Sequence, residues 1–153
     1  MSSPTNMICD VYDFMTAFDQ HPDPTSDGIN AASLELGNQL IAEEVAELYE
    51  ATDDLESFAS VETLSHFAKE ACDLIYVLIW TLNKLNVPIE ACWNEVQRSN
   101  MAKLNADGSY SKHASGPKIG KVKKPDSWTP ANMEPIIAKA FPLLSRAKHE
   151  AGN

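Results

Sequence analysis

The first hundred residues hold only three basic side chains, Lys69, Lys84 and Arg98, against eighteen Asp and Glu. Non-specific affinity for nucleic acid comes mainly from Lys and Arg, so no nucleic-acid partner is expected of so acidic a stretch. Long apolar runs are missing too. The longest, 71-ACDLIYVLIWTL-82, falls short of the roughly 18 residues of a membrane span and carries an aspartate, which argues against a membrane partner. The opening MSSPTNMICD has neither the basic nor the apolar region of a signal peptide, and a cytoplasmic location is expected. Cysteine is scarce: Cys9, Cys72 and Cys92 form no CxxC and are odd in number. Reduced, buried thiols are therefore expected rather than a disulfide or zinc framework.

What is present is an uneven distribution of charge. The 153 residues carry a net charge of −10, made of −15 over residues 1–100 and +5 over residues 101–153. The length suits a single domain with a real core. Helical spacing of apolar residues predicts a first helix over 9–20, a second over 31–52, a third over 63–85 and a fourth over 88–104. The prolines and glycine of 21–28 make a loop, and 53–62 reads as a polar connector. Beyond residue 104 turn residues and lysines dominate, with Asp107-Gly108 as a hairpin signal. A final apolar stretch, 132–149, is broken by Pro135 and Pro142 into short helices. The expected fold is all-α: a four-helix, bundle-like core over 8–108 with an irregular or hairpin extension over 109–153, in one domain.

The acids of helices two and three are oddly placed. In 40-LIAEEVAELYEA-51 an apolar stripe of Ile41, Val45 and Leu48 is edged by Leu40 and Tyr49. Glu43 and Glu50 lie well outside that arc, but Glu44 projects between Leu40 and Leu48, and Glu47 borders the stripe. Helix three is apolar all the way round, which predicts a central, buried helix. Asp73 is the only charge within 71–82, and Glu70 points between Leu74 and Val77. Each helix thus turns an i, i+3 carboxylate pair inward. Surface acids would not lie in apolar arcs, and a buried carboxylate needs a partner. Lys69, Lys84 and Arg98 are too few to satisfy four acids, and a hard divalent cation, Mg²⁺ or Mn²⁺, fits an all-oxygen donor set. Zinc is disfavoured because no His or Cys accompanies the acids. A di-iron site would want Glu-x-x-His pairs, and His21, His66, His113 and His149 make none. These histidines read as ordinary surface or core residues.

The strings 43-EEVAE-47 and 70-EACD-73 resemble the EExxE…ExxD pattern of the MazG-like all-α nucleoside triphosphate pyrophosphohydrolases, a superfamily related to phosphoribosyl-ATP pyrophosphohydrolase. The segments 10-DVYDFMTAF-18 and 95-EVQRSNMAKL-104 are similar to the small single-domain members from bacteria and phages. The resemblance implies that Glu44, Glu47, Glu70 and Asp73 hold the principal Mg²⁺ and that Glu43 orients the attacking water, through a second ion or as catalytic base together with Glu44. It also implies phosphate contacts from Asn100 and Lys103. Many relatives carry a lysine four residues before that asparagine; here Val96 stands there, and Arg98 is the candidate substitute. Homodimers or homotetramers are implied as well.

A triphosphate brings several negative charges to a site already rich in carboxylates, so cations must offset the remainder. Lys103 is nearest in sequence, and Lys118, Lys121, Lys123 and Lys124 are candidates for a lid, with a solvated loop as the plainer alternative. Phe14, Phe18 and Trp128 are candidates to stack on a base, or else core residues. The expected activity is metal-dependent hydrolysis of a (deoxy)nucleoside triphosphate to monophosphate and pyrophosphate, with a purine such as dGTP or GTP preferred over dCTP or dUTP. Two alternatives are a phosphoribosyl-ATP pyrophosphohydrolase, usually a shorter chain, and a non-catalytic acidic helical binding module.

Overall fold

The computed structural model describes residues 6–144, which gather in two compact units: residues 6–87 with 140–144, and residues 88–139. These units part at Val87–Pro88, where the chain turns sharply after Asn86 at φ 57°.

In the first unit, α1 (Met7–Ala17) begins at Asn6, whose side chain accepts from the Cys9 N–H at 3.2 Å. It stops at Asp19, held at φ 56°, where the Gln20 N–H closes onto Met15 O at 2.8 Å. A short 3₁₀ turn, Thr25–Asp27, follows. Next, α2 (Ala31–Ser57) is capped by Asn30, which accepts from Ala32 and Ser33 N–H at 3.0 and 3.2 Å. The polar stretch expected as a connector continues α2 to Ser57, since nothing in 53-DDLES-57 forbids helical φ/ψ. Only Phe58, extended at φ −153°, breaks it. Ser60 and Thr63 then form a reciprocal cap that starts α3 (Val61–Lys84) two residues earlier than expected.

Helix α3 packs against α2 and α1. Val11, Met15 and Trp80 are buried together, with Leu40, Tyr76 and Ile79 packed around them. Burial of such side chains is worth about 1.5–3 kcal/mol each. Helices α2 and α3 approach closely at Gly37, where a Cβ would lie 2.5 Å from the Thr81 methyl. The loop after α1 is pinned to the far end of α3. The Trp80 indole N–H donates to Gln20 Oε1 at 2.7 Å, and the Lys84 ammonium reaches His21 O at 2.7 Å and Asp23 Oδ1 at 3.0 Å.

Two expectations are corrected here. Helix α3 is not buried all round: Ile75, Leu78 and Leu82 are exposed, because α1 and α2 cover one side only. The thiols are not buried either; Cys9 and Cys72 are exposed and Cys92 is half-exposed.

The second unit opens with α4 (Ile89–Met101), shorter than the 88–104 expected. Asp107-Gly108 does form a turn, with Gly108 at φ 79° and the Asn105 N–H donating to Ser109 O at 2.8 Å. Antiparallel pairing comes further on, where His113 N–H meets Lys121 O at 2.9 Å and Lys123 N–H meets Ser111 O at 2.8 Å. It amounts to one isolated bridge, Lys112 to Val122, and no strand forms among the described residues. In α5 (Glu134–Ala140) the Glu134 N–H donates to Asn132 Oδ1 at 3.2 Å, and residues 142–144 are helical again after Phe141. Of the expected 132–149 stretch, residues 145–149 lie outside the described residues.

Candidate metal centre

The carboxylates that the apolar pattern singles out converge in the first unit. One oxygen each from Glu44 and Glu47 on α2 and Glu70 on α3 lie within 4.8 Å of one another. Their environments differ. Glu70 is 3 % exposed, Glu44 is half-buried and Glu47 is exposed. The Glu44 Oε2 atom is buried and receives no hydrogen bond. Burial, followed by repulsion from Glu47 and then from Asp73, raises the Glu44 carboxyl above its ordinary value.

The protein supplies part of the compensation from Lys69. Its ammonium lies 3.0 and 3.1 Å from the two Glu70 oxygens and 2.9 Å from Asp73 Oδ2. Those hydrogen bonds, to Asp73 first and then to Glu70, raise the Lys69 pKa. Lys69, too little by count for four acids, serves two of them in the structure. Glu44 and Glu47 make no ion pair among the described residues. Asp73 stands outside the three-oxygen cluster, turned to Lys69 with a side chain 41 % exposed. Glu43 is exposed and also lies outside that cluster.

His66 belongs to this neighbourhood and reads as ordinary in the sequence. Its Nε2 lies 3.2 Å from Glu70 Oε1, and its Nδ1 lies 3.9 Å from Asp54 Oδ2. The i, i+4 spacing of His66 and Glu70 was a usable signal. Asp54 was not, because it lies on the part of α2 expected to be a connector.

The donor set tests what the cluster fits. Three carboxylates from two helices, with one buried oxygen lacking any donor, suit a hard, oxygen-seeking divalent cation such as Mg²⁺ or Mn²⁺. Without one, Glu44 and Glu47 have only each other and the neighbouring acids, while Glu70 leans on Lys69 and His66. Elsewhere in this unit Phe14 and Phe18 stack with centroids 4.6 Å apart and remain 38 % and 63 % exposed. Phe14 also meets Tyr76 edge-on at 5.7 Å.

Residues 11–100, more than half of the chain, match the family described as phosphoribosyl-ATP pyrophosphohydrolase. The chain belongs to that family. It is therefore a pyrophosphohydrolase, a hydrolase acting on acid anhydrides, in the MazG-like superfamily, and its all-α architecture agrees. This takes the place of the acidic binding-module reading. No curated protein matches the chain. The family match spans all five acids of the EExxE…ExxD pattern and ends at Asn100, so Lys103 and the later lysines lie beyond it.

In the second unit the other expected site residues fall into two groups. Lys103, whose Nζ lies 2.7 Å from Asn100 Oδ1, shares one cleft with Asn100, Lys118, Lys121 and Lys124. Arg98 and Trp128 are engaged elsewhere. Arg98 donates to both Glu95 oxygens at 2.9 and 2.8 Å, to Thr129 Oγ1 at 3.1 Å and to Pro130 O at 3.0 Å. The Trp128 indole N–H donates to Ser99 O at 2.8 Å. These bonds fasten the 128–132 segment to α4, which leaves the Arg98 guanidinium little freedom to meet a phosphate.

Proposed function

We propose that the protein hydrolyses the α–β phosphoanhydride of a nucleotide, releasing pyrophosphate, in a reaction that depends on Mg²⁺ or Mn²⁺. The observation that carries this reading is the Glu44–Glu47–Glu70 cluster with its undonated, buried Glu44 oxygen. Those three residues would hold the ion, joined by Asp73 once Lys69 gives way. The ion would supply Lewis acidity at the phosphate and acidify the attacking water. Glu43, exposed one position before Glu44, is the base proposed to accept that water's proton. Water oxygen bonds to the α-phosphorus, the α–β bridging bond breaks, and pyrophosphate leaves. No protein nucleophile is needed.

Nucleoside triphosphates, purine-bearing ones first, are the proposed substrates. The exposed Phe14–Phe18 pair offers aromatic surface for a base in the same unit as the acids. Phosphoribosyl-ATP is the second reading, favoured by the family match itself, and it presents the same anhydride. Pyrophosphate release from the eight NTPs and dNTPs and from phosphoribosyl-ATP, with Mg²⁺ or Mn²⁺ and then with chelator, tests both. Release that persists in chelator would overturn the metal-dependent reading, and release from phosphoribosyl-ATP alone would replace the first substrate with the second.

We also propose a homo-oligomer. Ile75, Leu78 and Leu82 expose an apolar side of α3, and Met7, Val11, Ile75 and Ile79 line an apolar groove of about 210 Å³ beside it. A monomer by light scattering at micromolar concentration would reject this.

A further inference from the structure

The second unit contains an open cleft of about 1170 Å³ whose lining includes six lysines, Lys103, Lys112, Lys118, Lys121, Lys123 and Lys124, and no Asp or Glu. The acids of the unit lie outside that lining. Glu95 is committed to Arg98 and to the Asn132 N–H, and Asp107 to the Ser109 N–H. None of the six makes an ion pair among the described residues.

Several of these lysines are held in place. Lys124 Nζ sits 3.7 Å above the Trp128 ring, which is itself anchored to Ser99 O, and Lys112 Nζ lies 6.0 Å from the Tyr110 ring centroid. Lys121 and Lys123 are carried by backbone groups paired with His113 and Ser111. Gly116 and Gly120, at φ 77° and 79°, let the chain double back so that 112 and 118–124 share one cleft. Crowding like charges without a counter-charge costs free energy, which an anionic ligand would remove.

We propose that this cleft is a binding site for a short polyphosphate chain, either free or carried by a nucleotide. Six ammonium groups exceed what one phosphate requires and suit two or three linked phosphates. A long nucleic-acid backbone is the poorer fit, because the chain as a whole carries −10 and would repel a polyanion that extends past the cleft. A short anion held inside feels mainly charges within a Debye length of about 8–10 Å. Five of the six lysines lie beyond Lys103, and all six lie outside the family-matched residues, so the site is an addition to the family core.

The test is calorimetric titration of the full chain in chelator with inorganic tripolyphosphate, which keeps the metal centre out of the readout. Tripolyphosphate is expected to bind, and Lys112→Gln/Lys121→Gln to weaken it on the order of tenfold, with binding falling as salt rises. Lys139→Gln, which alters an exposed lysine of the same unit outside the cleft, is expected to leave it unchanged. Parallel titrations with pyrophosphate and with GTP separate the sources. Equal affinity for GTP and tripolyphosphate means that the cleft reads phosphates alone, and tighter GTP means that it holds the nucleotide's own chain. Absent tripolyphosphate binding at millimolar concentration, equal loss in Lys139→Gln, or binding only of a single-stranded oligonucleotide would each overturn the proposal. None of these outcomes bears on whether the carboxylates bind metal.

Discussion

The two units handle charge in opposite ways. The helical unit, residues 1–87 with 140–153 by sequence, carries seventeen acids against four Lys and Arg, and it crowds several of those acids around the single ammonium of Lys69. The unit formed by residues 88–139 carries eight Lys and Arg against five acids and lines a cleft with lysines that no acid meets. Each therefore leaves a charge unanswered, negative in one and positive in the other. Both imbalances mark places where a ligand of opposite sign would be stabilising, a divalent cation in the first and an anion in the second.

The sharpest way to break that comparison is to remove a charge from the acidic cluster. Glu70→Gln keeps the size of the side chain and is expected to lower pyrophosphate release by at least about 100-fold while the circular dichroism spectrum stays helical. Activity within a fewfold of wild type would show that the cluster is not the reacting centre.

This cluster was the legible part of the protein. Glu44 and Glu70 stand out because a helix repeats every 3.6 residues, so an acid in an apolar arc is visible without any tertiary knowledge. The helices were legible for the same reason. What escaped were features set by contacts remote in sequence. Lys69 reads as one cation too few until α3 places it between Glu70 and Asp73. Helix α2 outlasts its apolar pattern by five residues, which hides Asp54 as a neighbour of His66. In the second unit Arg98 looks like a phosphate ligand by spacing, yet its donors hold Thr129 and Pro130, 31 and 32 residues further along the chain. Irregular chain held by such single bonds has no period to read.

The next largest effect should come from packing in the helical unit. Gly37→Ala would put a methyl 2.5 Å from the Thr81 Cγ2 atom, and the Thr81 hydroxyl is tied to Val77 O at 2.8 Å. A loss of about 1–3 kcal/mol in urea unfolding is expected, with partial recovery in Gly37→Ala/Thr81→Ala. An unchanged midpoint would mean that α2 and α3 do not meet as closely as described.

Lys69 offers a subtler test. Because its ammonium occupies both Glu70 oxygens, it competes with a bound cation for them. Lys69→Met is expected to tighten Mn²⁺ binding by a factor of about 3–10, the scale of a partly exposed ion pair, while lowering the stability of the metal-free protein. Weaker Mn²⁺ binding in this variant would make Lys69 a supporter of the site rather than a competitor.

The smallest expected effect lies in the second unit and depends on pH. The hydrogen bond from Arg98, followed by the Asn132 N–H, lowers the Glu95 carboxyl to about 2 from 4.5. A lowered folded-state value means that its stabilisation is complete above pH 4.5 and disappears as the pH falls towards 2. The melting-temperature gap between wild type and Glu95→Gln should therefore narrow over that interval. A gap of constant size from pH 6 to pH 2 would show that Glu95 acts by shape alone.

Calorimetric titration of Mn²⁺ into wild type and Glu44→Gln tests the carboxylate cluster as a divalent-cation site without any assumption about substrate. Wild type is expected to bind, and Glu44→Gln to bind at least about tenfold more weakly while remaining folded. Equal Mn²⁺ affinity in the two proteins, or no binding by wild type at millimolar Mn²⁺, would contradict it.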